Sequence, residues 1–345
     1  MTDQQQPTPP NDQQIYLPKT GSWPQSWYWL DGRAQDAIAL AAACGRPLLV
    51  RGQPGTGKSD LARAAAEFLG RAFVYEVITA RTEPQELLWR FDTIARLADA
   101  QAKGAGGNDS GADPAKPLHY VSPGVFWWAL HWGSAEDFLK HECKTASQRP
   151  DEILVLPKGE PSQRKRASGK GCVLLLDEID KADSDLPNSL LEVLANTGFR
   201  LPWGNREIPT ADTPLAPRPL IVITTNEDRE LPPAFVRRCL VLQIDPGAEF
   251  EAWIKERARV HFRDPKADGI EPDDERPSLD DDVINKAAEH LMDERQNLPP
   301  DGQRPGLAEF LDLLRGLTSL ASDDKECQLD WLERVYEFAY HKQPA

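Results

Sequence analysis

The octapeptide GQPGTGKS at residues 52–59 is the feature that most constrains the fold of this chain. It fits the pattern G-x-x-x-x-G-K-[ST] without a mismatch, and it lies between a short apolar run, RPLLV, and an alanine-rich stretch with helical spacing. A loop of this kind curls so that its backbone N–H groups point at phosphate oxygens, and the following helix adds a favourable dipole. The sequence therefore predicts a buried strand, a phosphate-binding loop and a helix, in that order.

We expect the whole loop and the start of the helix to contact a nucleotide. The residues concerned are Gly52, Gln53, Pro54, Gly55, Thr56, Gly57, Lys58, Ser59 and Asp60. Lys58 is predicted to reach the β- and γ-phosphates, and Ser59 to bind magnesium. The alternative is a glycine-rich turn with a surface lysine.

Two acidic residues end a second apolar run, VLLLDEID. Ligands of open α/β sheets bind at the carboxyl ends of the strands, where Asp177 and Glu178 are predicted to lie. We expect Asp177 to hold magnesium, and Glu178 to orient or deprotonate the attacking water. The alternative is a strand followed by an acidic helix cap.

A third apolar run, LIVITTNED, ends in Thr224, Thr225 and Asn226. Because an unpaired buried polar group costs roughly 1–3 kcal/mol, such an ending indicates a partner. The Asn226 amide suits the γ-phosphate or the attacking water, although asparagine is also a common turn residue.

The order of the predicted elements indicates two domains. Strands alternate with helices up to about residue 247, and four helical segments follow at about 248–262, 281–295, 306–321 and 328–341. This order is typical of a parallel α/β domain with a smaller helical domain. Low-complexity sequence predicts surface loops at 101–117 and at 157–170, the second one locally basic.

These motifs together resemble the AAA+ ATPases, and most closely the MoxR branch, near the McrB-like and dynein-like modules. The resemblance covers about residues 25–320 and rests on the phosphate loop, LLLDEIDKAD, TTN and LPPAFVRR. It implies a P-loop NTPase sandwich of parallel sheet and helices (residues 23–246), followed by a small all-α lid (247–345). It also implies insertions near 80–125 and 198–210, the second a hairpin. We expect residues 1–22 to form a disordered tail.

The resemblance also assigns roles to particular residues. Asn226 matches the first sensor. Arg237 and Arg238 match the arginine finger, which typically reaches the γ-phosphate held by a neighbouring subunit, and Arg238 is the favoured finger. Arg304, before the third lid helix, is the candidate second sensor, with Arg315 as the alternative.

Tryptophans form two clusters, and their role is left open by the sequence. Trp23, Trp27 and Trp29 lie near the N-terminus, and Trp127, Trp128 and Trp132 lie in the run WWALHW. Core packing is the leading interpretation, with stacking on adenine and a polypeptide-gripping pore as the alternatives.

Composition limits the partners. A net charge of −15 argues against a broad nucleic-acid footprint. We expect no membrane span and no secretion signal, and five scattered cysteines favour free thiols in the cytoplasm.

The expected activity is ATP hydrolysis with Mg²⁺ at the interfaces of a homo-oligomeric ring, such as a hexamer. The resemblance implies a MoxR-like chaperone that remodels a protein, often with a von Willebrand A domain partner. Three alternatives stay open: an McrB-like motor linked to nucleic acid, a nucleotide-dependent switch that rarely hydrolyses, and a component of a bacterial defence system.

Overall fold

A five-stranded parallel sheet forms the centre of the protein in this computed structural model. The structure describes residues 12–104, 112–145, 147, 149–150, 159–196, 198–204, 206–208, 217–262, 278–298, 304–321 and 324–341. Its strands are β1 (Gln13–Leu17), β2 (Ser26–Leu30), β3 (Leu48–Gly52), β4 (Ala72–Val77), β5 (Trp89–Phe91), β6 (Val121–Pro123), β7 (Cys172–Asp177), β8 (Phe199–Arg200), β9 (Glu207–Ile208), β10 (Leu220–Thr225) and β11 (Leu240–Ile244).

Helices cover both faces of this sheet and make up the C-terminal part. They are α1 (Gly32–Cys44), α2 (Lys58–Leu69), α3 (Pro84–Leu88), α4 (Thr93–Gly104), α5 (Val125–Leu130), α6 (Trp132–His141), α7 (Gln163–Lys170), α8 (Asp185–Asn196), α9 (Pro233–Val236), α10 (Phe250–Phe262), α11 (Asp281–Asn297), α12 (Leu307–Ala321) and α13 (Lys325–Tyr340). The predicted fold class, a parallel α/β layer followed by helices, is confirmed.

The central strands are apolar throughout because both faces of the sheet are covered. Successive residues of β7 alternate between two cores: Val173 and Leu175 pack in one, and Leu174 and Leu176 in the other. The strand order is β11-β3-β10-β7-β4, and every neighbouring pair is parallel. All carboxyl ends therefore meet at one edge, where the phosphate loop follows β3 and Asp177 ends β7.

The C-terminal helices enclose a third core of their own. Its fully buried members include Ile254 of α10, Leu291 of α11, Phe310 of α12 and Leu332 of α13. Helix α10 also packs on strand β2 of the N-terminal hairpin. This helical unit thus has its own hydrophobic interior and sits beside the phosphate loop as a lid.

A small aromatic cluster joins the two regions predicted as insertions. Strand β5 pairs with β6 in the first region, and β8 pairs with β9 in the second, with Phe199 opposite Ile208. The Trp203 ring stacks on Phe91 at 4.7 Å and meets Trp89 edge-on at 5.0 Å. The short hairpin is therefore held by aromatic contacts as well as by its two-residue ladder.

The expected N-terminal tail is wrong for the part that the structure describes. Strand β1 pairs with β2 along its whole length, from Gln13 opposite Leu30 to Leu17 opposite Ser26. The Arg63 guanidinium of α2 donates to the carbonyl oxygens of Pro18 (2.6 Å) and Pro24 (3.1 Å), which ties the hairpin to the main domain. Residues 1–11 lie outside the described residues.

The surface loop predicted at 157–170 is also wrong, because residues 163–170 form helix α7. Ser162 caps this helix through its side chain. The Arg166 guanidinium is only 5% exposed and pairs with Glu67 at 2.9 Å and Glu160 at 3.1 Å. A cap and these paired charges stabilise a helix that its polar composition does not suggest. Residues 157 and 158 lie outside the described residues.

The tryptophans of the run WWALHW belong to the core. Trp127, Trp128 and Trp132 are buried in the main-domain cluster, and the Trp127 ring lies 4.8 Å from that of Phe138. Neither a pore-lining nor a base-stacking role fits side chains that are enclosed in this way.

Candidate active site

The phosphate loop lies between strand β3, helix α2 and the lid. Gly55 has a φ of +75°, and a Cβ atom added there would lie 2.9 Å from Cβ of Ala308 in helix α12. Glycine is required here both for the backbone conformation and for the close approach of the lid. Gly57, at φ +84°, caps α2 and lies against the Tyr28 ring.

Lys58 is folded into the loop that precedes it. Its Nζ atom donates to the carbonyl oxygens of Gly52 and Gln53, both at 2.8 Å, and only 6% of the residue is exposed. Burial lowers the pKa of Lys58, while the Asp177 and Asp180 carboxylates oppose that effect. A buried ammonium group beside carboxylates and N-terminal amides is suited to phosphate.

A chain of hydrogen bonds joins the phosphate loop to two strand ends. The Ser59 hydroxyl donates to both Asp177 oxygens, at 2.8 and 2.9 Å, and the Thr224 hydroxyl donates to Asp177 Oδ1 at 2.6 Å. Thr224 in turn accepts the Glu178 backbone N–H at 2.8 Å. One buried threonine therefore fixes both acidic residues of the strand end.

Glu178 is held in an unusual backbone conformation beside Asn226. Its φ of +59° is uncommon for a residue with a Cβ atom and costs of order 1–3 kcal/mol. The Asn226 amide donates to Glu178 Oε1 at 3.1 Å, which aims this carboxylate along the strand ends. The structure brings together Ser59, Asp177 and these two residues, as the sequence predicted.

Asp180 is buried beside Glu178 and Asn226, with only 2% of its surface exposed. Its Oδ2 atom accepts the backbone N–H groups of Asn226 (3.2 Å) and Asp228 (3.1 Å). The end of β10 is thereby bonded to the end of β7 through backbone N–H groups as well as through side chains.

A cleft of about 320 Å³ opens above these residues, between the main domain and the lid. Its lining residues are Trp23, Tyr28, Trp29, Pro54, Gly55, Gly57, Lys58, Ser59, Asp60, Asp177, Glu178, Thr224, Asn226, Arg257, His261, Leu307, Ala308, Leu311, Asp312 and Arg315. The lining thus combines aromatic side chains, carboxylates and cations. Gly52, Gln53 and Thr56, predicted as contacts, do not line this cleft, and the Thr56 hydroxyl donates to the Gln53 carbonyl within the loop at 2.9 Å.

The lid contributes Arg315 to the cleft and not Arg304. Positions 308, 311, 312 and 315 share one face of helix α12 because they are three or four residues apart. Arg304 lies before Leu307, the first residue of that helix, and is exposed. Of the two candidate arginines, Arg315 lies at the cleft and Arg304 does not, and the Arg315 guanidinium lies 2.9 Å from Asp312.

Arg237 and Arg238 lie at the opposite edge of the sheet. They form the turn between α9 and β11, and both are exposed. The Arg46 guanidinium donates to the carbonyl oxygens of Arg237 (2.6 Å), Arg238 (3.1 Å) and Cys239 (3.0 Å). Neither predicted finger lines the cleft of its own chain.

Comparison with family models gives a match to the AAA domain (dynein-related subfamily) over residues 47–121 and 128–239, more than half of the chain. This chain belongs to that family. The matched region runs from the residue before β3 to the turn after α9, and so includes all the strand-end residues described above. AAA domains of this kind are typically ATPases with a P-loop fold.

A solved structure of the Thermotoga maritima RuvB Holliday junction branch migration motor is also similar. The two chains are 14% identical with a TM-score of 0.38, over 88% of this chain and 67% of that chain. No curated protein matches the sequence. Within the described residues of this AAA domain, no helix is both long and apolar enough to cross a membrane.

Tyr28 and Arg257 are among the cleft residues that sequence reasoning missed. Burial raises the pKa of the Tyr28 hydroxyl and lowers that of the Arg257 guanidinium, and Asp31, 3.6 Å from Arg257, opposes the latter shift. Arg257 also stacks on Trp253 at 3.9 Å. Their positions depend on how the hairpin and lid pack, which no local pattern signals. The role of Thr224 was signalled only by the polar ending of its strand.

Proposed function

We propose that this AAA domain hydrolyses ATP with Mg²⁺. The proposal rests on a series of hydrogen bonds beside the phosphate loop. They link Ser59 to Asp177, Asp177 to Thr224, and Thr224 to the backbone of Glu178. This hydrogen-bonded series holds a metal-binding hydroxyl, a metal-binding carboxylate and a base in fixed positions, as phosphoryl transfer to water requires.

The donor set fits magnesium. Ser59 and Asp177 offer hard oxygen ligands within 2.9 Å of each other. Magnesium supplies positive charge that neutralises the β- and γ-phosphate oxygens as charge develops on them. Lys58 adds a second positive charge, and the loop amides bind the remaining oxygens.

Glu178 is the proposed base. Its carboxylate accepts a proton from the attacking water, and Asn226 orients that carboxylate through the amide bond at 3.1 Å. Trp23, Tyr28 and Trp29 form the aromatic wall against which the base of the nucleotide packs. Arg315 approaches the phosphates from the lid as the second sensor.

Neither Arg237 nor Arg238 lines the cleft of its own chain, and both are exposed, so either is free to reach the cleft of another copy. We therefore propose a ring, such as a hexamer, in which the finger acts between subunits. Movement of the lid on hydrolysis would remodel a protein partner, as in MoxR-like chaperones that act with von Willebrand A domain proteins. All five cysteines are free thiols, which suits the cytoplasm.

The test of this function is the turnover of Glu178→Gln. We expect ATP hydrolysis to fall by about 10²–10⁴-fold, because general base catalysis is lost, while ATP binding stays within a few-fold of the wild type. Asp183→Asn, at another exposed acid near the strand end, is the matched control and should keep its turnover. Equal turnover in Glu178→Gln and the wild type would contradict hydrolysis and favour a nucleotide-dependent switch.

A second measurement separates the protein remodeller from a nucleic-acid motor. Turnover of the wild-type protein is recorded with and without single-stranded and duplex DNA. The proposed function predicts no stimulation, because a chain of net charge −15 has little to attract phosphates. Stimulation of several-fold would favour the motor.

A further inference from the structure

Strand β3 carries a charged residue near its carboxyl end, although the rest of the strand is apolar. Its first three residues are fully buried, and Arg51 then precedes the first glycine of the phosphate loop. The strand neighbours of Arg51 are Thr225 of β10 and Gln243 of β11. The Arg51 Nε atom is buried and has no hydrogen-bond partner among the described residues. Because an unpaired buried N–H is unfavourable, another contact of this guanidinium must offset the cost.

That contact is with Glu227, in the turn that follows strand β10. Arg51 Nη1 lies 3.6 Å from Glu227 Oε1, and about half of the Glu227 side chain is exposed. At this distance and exposure an ion pair adds little to the stability of a fold. We therefore looked for its effect in the place that it gives to Glu227.

The turn around Glu227 is strained on both sides of a contact of the candidate active site. In the part of the chain that the structure describes, two residues other than glycine have a positive φ: Glu178 at +59° and Glu227 at +64°. Asn226 precedes Glu227 directly, and its amide donates to Glu178 Oε1 at 3.1 Å. Strain of this kind persists only where surrounding contacts hold it.

Other contacts of this turn hold its backbone. The Asn226 N–H donates to Asp180 Oδ2 at 3.2 Å, and the Glu227 N–H donates to Thr225 Oγ1 at 3.0 Å. The carboxylate of Glu227 has one ion pair within the described ranges, the one with Arg51. Arg51 is thus the residue that holds the side chain of the strained position.

The phosphate loop fixes the other end of this ion pair. Gly52 follows Arg51 in the chain, and its carbonyl oxygen accepts a hydrogen bond from Lys58 Nζ at 2.8 Å. The pair between Arg51 and Glu227 therefore joins the phosphate loop to the residue that follows Asn226.

We propose that Arg51 is a positioning residue for the base of the reaction. Through its pair with Glu227, it holds the turn in which the Asn226 amide is aimed at the Glu178 carboxylate. The inference rests on the proposed function, because the orientation of Glu178 matters only if that residue is the base. It gives Glu178 a second support: Thr224 fixes its backbone, and Arg51 acts on its carboxylate from the side of the phosphate loop.

The first test separates kcat from KM. Arg51→Met keeps an unbranched stem and removes the charge, and we expect kcat for ATP to fall about tenfold. KM and ATP affinity should stay within about twofold, since a misaimed base affects only the reacting state. Arg51→Lys should stay within about threefold of the wild-type kcat, because a single contact needs the charge and not the planar fork. Arg200→Met, which breaks an exposed ion pair with Glu207, is the matched control and should keep its kcat.

A double-mutant cycle tests whether Arg51 acts through Asn226. In an Asn226→Ala background the amide is already gone, so adding Arg51→Met should lower kcat by less than about twofold. Added to Thr224→Val, the same change should still cost about tenfold, because Thr224 holds Glu178 by a separate bond. An equal further loss in both backgrounds would indicate a general structural effect of Arg51 and would overturn the inference.

Glu227→Gln tests the same ion pair from its half-exposed side, and it decides the matter if Arg51→Met does not fold. We expect the same tenfold loss of kcat, in a protein whose thermal unfolding curve matches that of the wild type. Wild-type kcat in folded Glu227→Gln would overturn the inference.

The proposed function and the role of Arg51 fail in different ways. If Glu178→Gln loses turnover as expected while Arg51→Met and Glu227→Gln keep theirs, ATP hydrolysis stands and only the role of Arg51 is wrong. Equal turnover in Glu178→Gln and the wild type would contradict the proposed function, and the inference with it.

Discussion

The two edges of the central sheet differ in how their charged residues are bonded. At the carboxyl edge, the Ser59 and Thr224 hydroxyls both donate to Asp177, and the Asn226 amide donates to Glu178. At the amino edge, Arg46 and Arg71 bond only to backbone carbonyl oxygens. The carboxyl edge is thus organised by side-chain bonds, whereas no carboxylate among the described residues forms an ion pair with Arg46 or Arg71 at the amino edge.

This difference indicates that the two edges of the sheet have different roles. A bonded network keeps its geometry without a ligand, which suits groups that must meet a reacting phosphate in fixed positions. Exposed arginines keep their charge and can bind phosphate or carboxylate in a bidentate manner when one arrives. The sheet therefore links a preorganised site on one edge to an exposed, positively charged surface on the other.

The largest effect should come from the amino edge. Replacing Arg238 by alanine removes the finger, and we expect turnover to fall by about 10³-fold or more, the range known for arginine fingers. ATP affinity should change little, because Arg238 does not line the cleft of its own chain. Steady-state turnover and titration with a fluorescent ATP analogue measure the two quantities.

A mixing experiment shows whether the effect of Arg238→Ala acts between chains. Lys58→Ala subunits cannot hold the phosphates but keep their finger, so mixing them with Arg238→Ala subunits should restore part of the turnover. Mixtures that stay as inactive as either variant alone would contradict action between subunits, and with it the comparison of the two edges.

The second effect concerns the network of the carboxyl edge. Thr224→Val keeps the shape of the side chain but removes the hydroxyl that joins Asp177 to the Glu178 backbone. We expect turnover to fall roughly 10–100-fold, the usual cost of losing a residue that positions a metal ligand. The free energy of unfolding should fall by about 1–3 kcal/mol, because a buried N–H loses its partner.

Thr224→Ser is the matched control, since it keeps the hydroxyl and removes only a methyl group. It should retain most of the turnover, and chemical denaturation compares the two variants. If valine and serine have the same effect, the hydroxyl does not organise this edge.

Much of the carboxyl edge could be predicted from the sequence. The strands are continuous apolar runs, and the phosphate loop, Asp177 and Asn226 follow them directly, so a linear pattern places them at one edge. Strand β1 and helix α7 could not be predicted, because their stability comes from contacts distant in sequence. Arg166 of α7, for example, pairs with Glu67, and β1 pairs with a strand that follows an intervening turn.

The amino edge was only partly predictable. Arg237 and Arg238 carry a recognisable motif, but the cations that precede the other strands of the central sheet are scattered singly in the sequence. They form a row only once the strand order is known, because neighbours in the sheet are not neighbours in sequence. The positions of Arg304 and Arg315 relative to the cleft were unpredictable for a related reason: the start of helix α12 must be known to show which arginine shares a face with Ala308.

The third effect is expected at Arg46, which fixes the turn that carries the finger. Its three hydrogen bonds to the carbonyls of residues 237–239 join β3 to the start of β11. Arg46→Ala should lower kcat about tenfold with little change in KM, because a misplaced finger affects only the reacting state. Arg46→Lys keeps the charge but not the planar fork, so it should lose nearly as much.

Arg33→Ala, at an exposed arginine in helix α1, is the control for Arg46 and should keep its kcat. Full activity of Arg46→Lys would show that positive charge at the amino edge matters and that the bonded turn does not.

The smallest effect is expected for Arg315, the positive charge that the lid adds to the cleft at the carboxyl edge. Arg315 lines the cleft but is about half exposed and lies 2.9 Å from Asp312, so solvent weakens its attraction for phosphate. Arg315→Ala should therefore weaken ATP binding only about threefold to fivefold, whereas Arg304→Ala should change it less than twofold. Isothermal titration of both variants with ATP compares them directly. A larger loss for Arg304→Ala would mean that the lid presents a different face to the nucleotide, and the carboxyl edge would then depend on lid closure for more than one arginine.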